Sequence, residues 1–89
     1  MYTTYILYSA SKDRYYIGFT GDDIEQRIRR HNSKHHGFTG KTGDWKLVYW
    51  ETYQEKETAA KREKEIKSWK SRKMIQKLIG SAGSEHSDL

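Results

Sequence analysis

Tyr5 to Thr20, YILYSASKDRYYIGFT, is the stretch whose reading decides the fold. Two runs rich in tyrosine and β-branched residues flank the polar connector Ala10-Ser11-Lys12-Asp13, which is the pattern of a β-hairpin. Side chains alternate faces along a strand, so Tyr5, Leu7 and Ser9 share one side, and Tyr16 and Gly18 share a side of the partner. A connector of two or four residues pairs odd positions with even ones. Either register puts Tyr5 and Tyr16 on one face beside a glycine, and a bulge would break that parity. Two phenols over a bare backbone patch make a surface able to hold a phosphate. Cross-strand aromatic packing uses the same residues and needs no ligand.

Downstream, Thr20-Gly21-Asp22-Asp23 reads as a stop followed by a helix start. Asp22 as N-cap with Glu25 three residues later fits a capping-box variant. The helix is predicted from about Asp23 to Asn32, with Ile24 and Ile28 as its apolar stripe. Arg27 and His31 project within about 60° of Ile24 and border the buried side. There they either meet a phosphate lying on Tyr5 and Tyr16 or form a solvated edge. Ser33 to Asp44 is a glycine-punctuated loop whose Lys34 and Lys41 suit phosphate contact.

Trp45 to Tyr53, WKLVYWETY, reads as a third strand, with Leu47 and Tyr49 on one face and Val48 and Trp50 on the other. A second helix is predicted from about Lys56 to Trp69, where Ala59, Ile66 and Lys70 define a narrow stripe and Glu63 falls on it. A carboxylate there is costly without a partner; the alternative is an ordinary i,i+4 pair with Lys67. A third helix is predicted from Ser71 to Ile79, with Gly80 as its C-cap. Lys67, Lys70, Arg72, Lys73 and Lys77 follow Ile66 with no acid between them, the strongest electrostatic footprint in the chain. The small polar tail 81–89 is expected to be disordered, leaving a single domain over 1–80.

Composition narrows the class. The chain has 89 residues, a net charge of +5 and a pI near 9.5, a balance that favours polyanions and most commonly nucleic acid. Without cysteine neither a disulfide framework nor a thiolate metal site is available. No apolar run approaches the roughly 20 residues of a spanning helix, and the start MYTTYILYS has no targeting pattern. The expectation is a cytoplasmic protein with no membrane partner.

Tyr5, ten residues, then Tyr16-Ile17-Gly18 resembles the paired motif of the GIY-YIG nuclease family, with Thr3-Thr4-Tyr5 standing where the name has Gly-Ile-Tyr. Arg27-x-x-x-His31 on the following helix and Glu63 within Arg62-Glu63-Lys64-Glu65-Ile66-Lys67 are similar to the family's next motifs. The likeness is strongest to the short single-domain bacterial members related to the N-terminal domain of the excision-repair nuclease. The resemblance implies a small three-stranded antiparallel sheet flanked by helices, an α/β (α+β) fold. It also implies a metal-dependent endonuclease acting on nucleic acid, DNA in the first place, in repair or recombination. Glu63 would hold one divalent metal, Mg²⁺ or Mn²⁺, and Tyr5, Tyr16, Arg27 and His31 would be catalytic. Gly18, Lys34, Lys41, Lys67, Lys70, Arg72 and Lys73 would bind nucleic acid. As a base, Tyr5 would need the cation-rich site to lower a phenol pKa of about 10. The alternative function is a basic nucleic-acid-binding module on the same scaffold with little or no catalysis.

Overall fold

The computed structural model describes residues 1–33 and 42–87, with side chains through residue 81. Its elements are β1 (Tyr2–Ser9), β2 (Arg14–Thr20), α1 (Ile24–Asn32), β3 (Trp45–Tyr53), α2 (Lys56–Trp69) and α3 (Arg72–Ser87). The strands form one antiparallel sheet in the order β2-β1-β3, so the α+β class expected from the sequence is the one observed. No helix among the described residues is long and apolar enough to cross a membrane.

The first strand sits in the middle and is covered on both faces. Thr4, Tyr5, Ile6 and Leu7 are all buried, a run that alternation alone would have split. The connector closes with Tyr5 opposite Gly18, Leu7 opposite Tyr16 and Ser9 opposite Arg14. The expected parity holds, and Tyr5 and Tyr16 share a face. Asp13 ends the turn at φ 54°, a left-handed conformation that aspartate tolerates better than most residues. The turn is tied down by Asp44, which accepts hydrogen bonds from the Ser9 hydroxyl at 2.7 Å and the Ser11 N–H at 2.8 Å.

β3 departs from simple alternation. Ile6 pairs with Tyr49 but Leu7 pairs with Leu47, so Val48 is an extra residue in the ladder. The expectation that Leu47 and Tyr49 share a face is therefore wrong. The bulge sends Leu47 to the side of Tyr5, Leu7 and Trp45, and leaves Tyr49 with Ile6. Two cores result. On one face Ile24 and Ile28 of α1 pack against Tyr5, Leu7 and Trp45. On the other, Ile6, Ile17 and Tyr49 meet Ile66 of α2 and Ile75 of α3. Full burial of a side chain such as Ile66 is worth about 1.5–3 kcal/mol. Thr4 adds direction, donating its hydroxyl proton to the Ala59 carbonyl at 2.8 Å.

The helix ends show where local rules gave way. Asp23, not Asp22, occupies the N-cap of α1, and its side chain makes no capping bond. Thr20 intercepts the chain first, because its hydroxyl accepts the Asp22 N–H at 3.0 Å. α2 stops at Lys70, which takes a left-handed conformation at φ 47° and so leaves the helical stripe assigned to it. Ser71 starts α3, its hydroxyl accepting the Met74 N–H at 3.2 Å. The helix then continues past Gly80, the expected cap, to Ser87.

Candidate active site

The Tyr5 phenol leaves the central strand and crosses β2 above Gly18. A Cβ on Gly18 would lie 2.7 Å from the Tyr5 hydroxyl and 3.0 Å from Tyr16 Cε1, so glycine is what lets both phenols rest there. The space above Gly18, expected to face phosphate, is taken by the Tyr5 side chain.

His31 comes to the same place from the last turn of α1. Its Nε2 and the Tyr5 hydroxyl share a hydrogen bond of 2.8 Å, with Tyr5 1% and His31 9% exposed. The imidazole also lies 4.7 Å from the Tyr16 ring, centroid to centroid, and Tyr16 meets Trp45 edge-on at 6.3 Å. Asn32 sets the position of this helix end against β3. Its amide donates to the Trp45 carbonyl at 3.0 Å, and its Oδ1 accepts the Trp45 N–H at 2.7 Å. Sequence reasoning gave no site role to Trp45 or Asn32. The signal for them is tertiary, since nothing local in Asn32 shows that it will clamp a strand 13 residues away.

Arg27, one turn earlier, brings a guanidinium that donates a hydrogen bond to Tyr5 and whose buried Nε has no partner among the described residues. A buried unsatisfied donor costs about 1–3 kcal/mol, and a phosphate oxygen is the kind of acceptor that would satisfy it. Burial pushes the Tyr5 phenol well above its ordinary value; the neighbouring Tyr16 and Glu63 add to the rise while Arg27 opposes it. The cation therefore does not lower this phenol below its ordinary pKa, because removal from water outweighs it.

Glu63 arrives by another route. Ile66 anchors α2 on the opposite face of the sheet, yet Lys67 Nζ lies 6.0 Å from the Tyr16 ring centroid and 3.4 Å from Glu63 Oε2. Because β2 is an edge strand, the Lys67 side chain reaches round it to Tyr16, and Glu63 is near enough to Tyr5 to help raise its phenol. The Glu63 side chain is 16% exposed and that of Lys67 50%, so the i,i+4 pair exists with its acid partly buried. The structure thus gathers Tyr5, Tyr16, Arg27, His31, Glu63 and Lys67. Lys70 and Lys73 are exposed at the α2–α3 junction. Arg72 is engaged by Asp13, donating to its carbonyl at 2.8 Å and to its carboxylate, and lies over the Tyr15 ring. Lys34 and Lys41 lie outside the described residues.

A divalent metal would find one acid here. Among the described residues no cluster of three or more acidic or histidine side chains forms, so an all-protein cage is not what this site offers. One carboxylate with a loose ammonium partner fits Mg²⁺ or Mn²⁺ bound mainly by water and phosphate oxygens. A family model described as the GIY-YIG catalytic domain matches residues 1–77, from β1 into α3. Comparison with curated proteins gives no match, and comparison with solved structures gives none.

Proposed function

The chain belongs to the GIY-YIG family, and we propose that it is a metal-dependent endonuclease that cuts phosphodiester bonds in DNA. Repair or recombination in the cytoplasm is the setting this reading assigns. The observation that carries the proposal is the buried 2.8 Å contact between Tyr5 and His31 Nε2 beside an Arg27 Nε that is unsatisfied among the described residues. It supplies a proton path and an anion site at one point.

In this reading Tyr5 is neutral before reaction, as its burial favours, and donates its proton to His31 Nε2. A water approaching the phosphate gives its proton to the phenol oxygen while the phenol proton passes to the imidazole. No standing phenolate is required, which reconciles the raised pKa with a base role. Arg27 donates to the phosphate oxygens as negative charge grows on them. Glu63 would hold the metal, which when bound would stabilise charge on the phosphate and on the departing 3′-oxygen. Tyr16 supports the imidazole and orients water or phosphate, with Lys67 held over its ring.

The raised phenol pKa and the Thr3-Thr4 departure are also what a binding module without catalysis would show. Incubation with supercoiled, branched and single-stranded DNA, with and without Mg²⁺ or Mn²⁺, separates the two. Metal-dependent nicking supports the enzyme; salt-sensitive binding without nicking supports the module.

A further inference from the structure

On the face of the sheet opposite Tyr5 and Tyr16, a cleft of about 510 Å³ opens between the β1–β2 turn, β2 and the α2–α3 junction. Its accessible apolar surface comes from Tyr15 and the small exposed edges of Ile17 and Ile75, over Ile66, which is fully buried. Its rim carries Lys12, Arg14 and Lys70, and among the described residues none of these three pairs with an acid. Arg72 and Asp13 also line it, but they neutralise each other and pin the turn to α3. Lys67 belongs to both places: it lines the cleft and holds its ammonium over Tyr16 on the other face. Cleft and candidate active site are therefore two sides of one free strand edge, joined at Lys67.

We infer that this cleft takes one unpaired nucleotide of the strand being cut, so that the substrate carries a single-stranded segment next to the scissile phosphate. The inference rests on the nuclease reading above and names its substrate class. A cationic rim over an apolar floor with a tyrosine matches a phosphate joined to a base with an exposed face. A duplex offers its phosphates outside and keeps its bases stacked inside, so it would leave the floor unused. The volume lies within the range of about 300–1,000 Å³ that suits one small organic ligand, enough for a nucleotide and far too little for a duplex. The path also decides between them. A strand touching both faces must turn round β2, and duplex DNA with a persistence length of about 150 base pairs resists so tight a bend.

The test uses the full chain without added metal, a labelled oligo-dT of about 12 nucleotides and a duplex of equal length, read by fluorescence anisotropy. Non-specific electrostatics favour the more densely charged duplex, so a preference for the single strand reports the cleft. Wild type is expected to bind oligo-dT about tenfold tighter than duplex. The double variant Lys12→Gln/Arg14→Gln, both exposed positions, should lose about tenfold on oligo-dT and less than twofold on duplex, with an unchanged circular dichroism spectrum. Equal wild-type affinities, or equal losses on both probes, overturn the inference. A parallel cleavage series with Mg²⁺ or Mn²⁺ separates it from its premise. Cutting of uninterrupted duplex as fast as of a flap overturns the cleft assignment and keeps the nuclease. A strand preference that the double variant abolishes, with no cutting of any substrate, supports the cleft and removes the nuclease.

Discussion

Two clusters in this molecule are built from the same parts, tyrosines, an arginine and a glutamate, and they end in opposite states. On the α2 face, Glu51 accepts hydrogen bonds from Tyr49, from Tyr53 and from Arg62 at 2.9 and 3.1 Å, and Arg62 also pairs with Glu65. Burial alone would raise the Glu51 carboxyl, but Arg62 and the two phenols overcome it and hold the carboxyl below its ordinary pKa. On the α1 face, Tyr5 and Tyr16 gather round His31; among the described residues Arg27 keeps a buried Nε without a partner and Glu63 pairs only with an ammonium at 3.4 Å. The first cluster is closed and ties β3 to α2. The second is open, and an open cluster is where substrate and metal would complete the bonding. Identical chemistry serves stability or reaction according to whether its last partner comes from the chain.

The largest expected difference between the clusters is in rate. Tyr5→Phe should lower metal-dependent cleavage by roughly 10²–10⁴-fold, the usual weight of an acid–base group, whereas Tyr49→Phe and Tyr53→Phe should leave it near wild type. Single-turnover assays at saturating protein read this directly. Cleavage by Tyr5→Phe at the wild-type rate would return Tyr5 to packing and erase the contrast.

Next in size is the response to metal. At ~100 times its dissociation constant, Mg²⁺ or Mn²⁺ should stabilise wild type by about 2.7 kcal/mol through linkage. Glu63→Gln should show no such gain, while Glu51→Gln, weakened in itself, should keep it. Thermal melts with and without metal give the answer, and a Glu63→Gln protein that still gains stability would take the metal elsewhere.

The arginines should then differ in size of effect. Arg62→Met leaves Glu51 short of its main partner and should cost roughly 1–3 kcal/mol. Arg27→Met removes a buried Nε that has no partner among the described residues, together with the guanidinium's hydrogen bond to Tyr5, so it should cost less than Arg62→Met. Denaturant midpoints at constant slope measure both. Equal losses would mean that Arg27 is as closed as Arg62.

The smallest effect is at alkaline pH. Burial first and then the Glu51 carboxylate raise Tyr53 to about 12 and Tyr49 higher still, while burial leads at Tyr5. All three are raised in the fold, so their contribution to stability is fully present below about pH 10. It is lost as pH climbs through the folded values. In a tyrosinate absorbance titration Glu51→Gln should bring part of the late transition earlier and leave the Tyr5 part in place. A titration curve unmoved by Glu51→Gln would mean that the carboxylate does not govern its two phenols.

These contrasts show what was legible beforehand. The hairpin and its shared tyrosine face follow from parity and a polar connector, which are local. Helical spacing places Arg27 and His31 at the border of the buried side and Glu63 on the stripe of Ala59 and Ile66, but it leaves a solvated edge and an ordinary Lys67 pair open. The family resemblance, not the spacing, points to a site. The bulge at Val48 was not legible, because it answers to the packing of Trp45 and Leu47 beneath α1. Nor was the role of Arg72, which sits in a basic run but spends its charge on Asp13, 59 residues away. Charge runs report composition; only the fold says which cations are already paired.

The central position of β1 has a consequence for how the site comes into being. Its pairing with β2 closes through a short turn, a hairpin event on a scale of ~1–10 μs. That step alone lays Tyr5 over Gly18 next to Tyr16. Its pairing with β3 joins Ser9 to Trp45 and must wait for a much longer stretch of chain to close, which is slower. Through Asn32 the same docking seats the end of α1 and with it His31. On refolding, cleavage activity is therefore expected to return with protection of the β3 amides in pulsed hydrogen exchange, not with the hairpin. The phenol waits, already in place, for an imidazole that only the last strand can bring.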